Sequence, residues 1–187
     1  MNEFEFLAVF ISIVIGLGVT HILFGLARII YNRDRQQLSM LHIVWTFNVL
    51  LIVLLNWWIF FLWSDYPAWS FDIYLLLIAW AIPLYMMTVV LYPPDIRPDV
   101  SYDALFEQNR KWLFGTFLLF VTLDIVETAV RGELFRPKYF LVFVAHYAVL
   151  AAIGIFTANR RYQLFFAWYM LGSLTLWSLV VRRLLGG

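Results

Sequence analysis

The sequence predicts an all-α, polytopic membrane protein: a single domain over 1–187, built as a bundle of six transmembrane helices with a short polar helix leading into the fourth. Two observations carry this. Of the 187 residues 64% are hydrophobic and only 13% are charged. A soluble domain of that length has no way to cover so much apolar surface. The apolar residues also fall in runs of roughly 18 or more, which is enough to cross a bilayer. The lipid bilayer is therefore the first expected partner.

Helix one is expected over about 4–31. Ala8, Ser12 and Gly16 form a small-residue stripe on one side, with Gly18, His21, Gly25 and Arg28 on the other. Small residues let backbones approach closely, so two such stripes predict a helix central to the bundle, packed through Gly16. After a short basic link, helix two covers about 40–63 and ends in Trp57, Trp58, Phe60, Phe61 and Trp63. Aromatics at a helix end read as a membrane-interface belt. Asn48 and Asn56 lie on its same general side, where an amide in hydrocarbon needs a partner on another helix or a polar pathway to face.

Helix three is expected over about 73–92, with Pro83 predicting a kink. Tyr92-Pro-Pro-Asp-Ile-Arg-Pro then stops it. A polar helix beginning at Ser101, with Glu107 and Lys111 paired one turn apart, runs into helix four at about 112–131. Helices five and six follow at about 138–157 and 163–183. Six spans place both termini on one side. With the termini outside, eight of the basic residues (Arg28, Arg33, Arg35, Arg97, Arg110, Lys111, Arg160 and Arg161) fall at the inner face, against five outside. The positive-inside rule thus favours a cell-membrane protein with both termini outside.

Several classes are excluded or disfavoured. A net charge of +1 with no basic stripe gives no footing for nucleic acid. The absence of cysteine removes disulfides, thiolate metal sites and thiol catalysis. The N-terminal run is acidic and too long for the core of a signal peptide, so helix one is expected to remain as an anchor. Ser173, next to Gly172, is the only suggestive serine and lacks the flanks of a nucleophile elbow.

The candidate chemistry lies in helix four. Asp124, Glu127, Thr128 and Arg131 fall on one side of it. A carboxylate at the centre of a bilayer costs about 2.5 kcal/mol or more, so both acids should face protein or a water-filled cavity. Asp124 lies eleven residues before Phe135 and His146 eleven after, which predicts equal depth on adjacent antiparallel helices and an Asp–His pair. Asp124, Glu127, His146 and Asn56 are thus the expected ion or proton path. His21, Arg28, His42 and Asn48 form a second polar cluster, for which plain packing and snorkelling are the simpler account. A haem needs two level imidazoles, and His21 and His42 differ by five residues from their shared turn, about 7 Å of helix. A quinone or pigment among the aromatics is a further alternative, and the cofactor stays unknown. The expectation is a small channel or transporter for protons or a small ion. The competing class is a structural or assembly subunit of a larger membrane complex, and association into a homo-oligomer suits both.

Overall fold

The computed structural model describes residues 3–32, 38–96, 101–134 and 139–185, with side chains as far as Leu179. Six α-helices follow one another: α1 (Glu3–Tyr31), α2 (Met40–Phe60), α3 (Phe71–Leu91), α4 (Tyr102–Val130), α5 (Phe140–Phe156) and α6 (Arg160–Leu185). A short 3-10 turn, Phe61–Trp63, extends α2, and the described residues contain no strand. Four of these helices, α1 to α4, are long and apolar enough to cross a membrane. Counting six spans from sequence goes further than this. α5 is apolar but has only 17 residues, and α6 is not among the four. Of the basic residues used to orient the chain, Arg33, Arg35, Arg97, Arg136 and Lys138 lie outside the described residues, as do the side chains of Arg182 and Arg183.

The starts of three helices have a common chemical cause. Ser39, Ser70 and Ser101 each sit in extended backbone, and each hydroxyl oxygen accepts a hydrogen bond from the amide three residues on, at His42, Ile73 and Ala104. Each cap satisfies one of the orphan amides of a first turn, worth about 1 kcal/mol. The polar helix expected before helix four is continuous with it, as α4 runs unbroken from Tyr102 to Val130. Its end is set by Gly132, whose φ of 81° lies in the left-handed region that favours glycine. Gly132 N bonds to Ala129 O and Glu133 N to Thr128 O, which closes the helix and returns Glu133 toward Arg131.

α2 touches α1, α3, α4 and α6, while α4 touches α2, α3 and α5. α3 touches α1, α2 and α4, so the centre of the bundle is α2 flanked by α3 and α4, while α1 packs mainly on α2 and α3 among the described residues. The buried stripe of α1 is Leu7, Ile11, Ile15, Gly18, Ile22, Gly25 and Ile29, spaced three and four apart. Gly16 lies off that stripe, exposed and with open space where a side chain would go. This corrects the expectation that α1 packs through Gly16; of the same stripe, Ala8 does rest on the core and Ser12 Oγ accepts from Trp57 Nε1 at 3.3 Å. The opposite stripe does pack: a Cβ on Gly18 would meet Thr88 at 3.5 Å, and one on Gly25 would lie 2.5 Å from the Tyr92 ring.

Two aromatic groups fill the bundle ends. Trp45 meets Phe114 at 5.0 Å and Phe166 at 5.1 Å, knitting α2, α4 and α6 together. At the other end Trp63 lies against Tyr66 at 4.6 Å and Trp69 at 5.8 Å. Trp57, Trp58 and Phe61 are exposed as a belt should be, but Trp63 is fully buried. Its indole has a polar partner in the interior, described next. Pro83 is buried within an α3 that continues on both sides of it.

Candidate functional site

The two acids in the C-terminal half of α4 are both held by indoles, from different elements. Trp63 Nε1 donates to Glu127 Oε1, and Thr128 Oγ1 donates to Glu127 Oε2 at 3.0 Å. Arg131, one turn on, places its guanidinium 3.8 Å from Glu127 and 3.2 Å from Glu133. Glu127, 2% exposed, is thereby bonded at both oxygens and balanced by a cation. Nothing about it is left open to a ligand.

Asp124 differs. One turn earlier on the helix, it turns toward α3, where Trp80 Nε1 donates to Oδ1 at 3.2 Å. Its other oxygen has no hydrogen-bond partner among the described residues. Asp124 and Asn56 both line a cavity of about 90 Å³ between α2, α4, α5 and α6. Asn56 is buried and spends its Nδ2 on Ile52 O of its own helix at 2.8 Å, leaving Oδ1 as a spare acceptor. Tyr147, also on the wall, gives its proton to Ser173 Oγ at 2.6 Å, because that serine donates onward to Tyr169 O. The cavity thus holds two unspent acceptor oxygens, on Asp124 and Asn56, beside the second amide N–H of Asn56 and the indole N–H of Trp177, which also have no partner among the described residues. Its volume leaves room for several waters, each needing at least ~10–15 Å³ of such space.

The expected Asp124–His146 pair does not form. His146 is half-buried and faces α6 and its own helix: its ring lies 4.0 Å from Tyr147 and 5.8 Å from Tyr169, and Nδ1 is 3.3 Å from Val142 O. No hydrogen bond or ion pair joins it to Asp124 among the described residues, and it does not line the cavity. Counting residues outward from a turn fixes height along a helix but not the direction a side chain takes.

The second cluster gathers at the other end of the bundle, around Tyr92. His21 Nε2 donates to the Tyr92 carbonyl at 2.7 Å, and the His42 ring stands edge-on to the Tyr92 ring at 4.9 Å. Thr46 gives its proton to His42 O, so the Tyr92 hydroxyl donates to Thr46 Oγ1 at 2.8 Å. Burial pushes the Tyr92 phenol up to about 12, which keeps it a donor. His21 and His42 meet the same tyrosine, but Tyr92 itself occupies the space between them. Asn48 joins α2 to α6 by donating to Ala167 O at 2.9 Å, the interhelical role expected of it. Arg28 is half-buried at the end of α1.

Sequence reasoning missed Arg110, assigned only to an inner basic face. It is 4% exposed and reaches the end of α5, donating to Gly154 O and, at 2.8 Å, to Ile155 O. Glu107 balances it at 3.1 Å. The signal was its register: Phe106, Arg110, Leu113 and Phe117 share the buried face of α4. No protein-family model, no curated protein and no solved structure matches the chain.

Proposed function

We propose that the chain is an integral membrane protein of six spans that binds a small monovalent cation beside Asp124 and carries it across the bilayer. The observation that supports this reading is the cavity, where a carboxyl and an amide offer unspent acceptor oxygens within a mostly apolar wall. Polar groups in such surroundings are costly unless a partner meets them. One carboxylate and one neutral oxygen suit a single positive charge and are too few for a divalent ion, which takes six or more oxygens. The path narrows from the sequence expectation to Asp124 and Asn56, with Glu127 a structural neighbour and His146 outside it. With both termini outside, the cavity lies in the outer half of the bundle.

The subunit reading has its own support in the Asn48 amide N–H groups and the Glu127 carboxylate, which are bonded within the chain and tie its elements together. Equilibrium dialysis of detergent-purified protein against sodium, potassium and an alkylammonium ion separates the two. Cation binding near one per chain, weakened at least tenfold in Asp124→Asn, is the expected result. An Asp124→Asn protein that stays folded and binds as wild type does would rule the cavity out as the site.

A further inference from the structure

On the reading just given, the cavity wall narrows the class of cation. Six of the fifteen lining residues among those described are aromatic: Phe117, Phe120, Phe140, Phe143, Tyr147 and Trp177. That is twice the 20% share of aromatics in the whole chain. A sodium or potassium ion entering here would exchange a full shell of water oxygens for two protein oxygens and a wall of rings and aliphatic carbons. An alkylammonium ion is better matched. Its methyl groups are at home against that wall, and its spread charge is attracted by ring faces within about 6 Å of their centroids.

The two ends of such an ion fit the two kinds of surface present. Asp124, with one oxygen free of Trp80, and Asn56, with Oδ1 free, are acceptors that lack donors. A secondary ammonium has two N–H donors, one for each. The cavity of about 90 Å³ has room for several water-sized groups, which a small alkylammonium ion can fill. We infer that the cavity selects a small alkylammonium ion that keeps N–H donors, dimethylammonium being the closest match in donor count and size, over inorganic monovalent cations.

Calorimetric titration of the purified protein at constant ionic strength tests this, using dimethylammonium, sodium, potassium and the oversized tetraethylammonium. The expected result is at least tenfold tighter binding of dimethylammonium than of either metal ion, with no binding of tetraethylammonium. Phe117→Leu and Phe140→Leu keep apolar bulk while removing the rings. Each should erode the dimethylammonium advantage over the metal ions; using both guards against one variant failing to fold. Asp124-dependent binding of sodium or potassium, with dimethylammonium no tighter, would overturn the selectivity while leaving the cation site intact. Absence of binding by every cation would overturn both. A dimethylammonium advantage that survives both leucine variants would overturn the aromatic basis of selection.

Discussion

Replacing Arg110 by leucine should lower stability by about 3 kcal/mol, because two charge-assisted hydrogen bonds are lost at about 1.5 kcal/mol each. The side chain links α4 to the last turn of α5, whose final carbonyls have no partner within their own helix. Gln163 also donates to Gly154 O, at 3.2 Å, but Ile155 O depends on the arginine. Glu107 is exposed enough to be solvated when its partner goes, so the loss falls mainly on the α5–α6 corner. Arg110→Lys should recover only part of the loss, since an ammonium lacks the planar fork that meets Gly154, Ile155 and Glu107 together. Thermal unfolding in detergent checks both variants. A leucine protein that melts with wild type would mean that α5 is held at that end by packing alone, with Phe114 against Gly154.

The second large effect is steric. Gly25→Ala should destabilise by about 1–3 kcal/mol, the usual range for overpacking. The new methyl would sit 2.5 Å from two atoms of the Tyr92 ring. That ring is not free to yield, being fixed by its bond to Thr46, by His21 on its carbonyl and by the His42 ring. Gly16→Leu, by contrast, meets nothing within 4 Å and should be neutral or slightly stabilising through its better helix propensity. Melting the two proteins side by side decides which face of α1 packs. A drop for Gly16→Leu with none for Gly25→Ala would reverse the assignment.

That contrast shows what a one-dimensional reading can reach. Helix positions follow from apolar run length and from serine, proline and glycine punctuation, and the expected and observed bounds agree within about three residues, save that α4 takes in the polar helix before it and so begins at Tyr102. Which stripe of a helix packs is a different matter. Both faces of α1 carry small residues, and only the position of Tyr92, in the turn beyond α3, makes Gly25 the tight one. Trp63 was legible as part of an interfacial cluster, yet the 3-10 turn after α2 rolls it inward onto Glu127. In the same way, Asp124 was singled out by the cost of a carboxyl in hydrocarbon. Its partner was not, because the rotation of α4 about its own axis sends Asp124 to Trp80, while that of α5 sends His146 toward Tyr169. Asn56 was recognised as polar on the central helix, but its role beside Asp124 depends on α6 leaving space between them.

The central claim is that Asp124 forms the cation site of a membrane carrier, and uptake into sealed liposomes tests it most directly. Wild-type protein should carry protons, sodium, potassium or dimethylammonium, at least one of them, faster than empty vesicles do. Asp124→Asn, folded and reconstituted to the same density, should fall to the empty-vesicle rate, while His146→Gln should retain wild-type uptake. Equal uptake by wild type and Asp124→Asn, or uptake by neither above empty vesicles, would contradict the account.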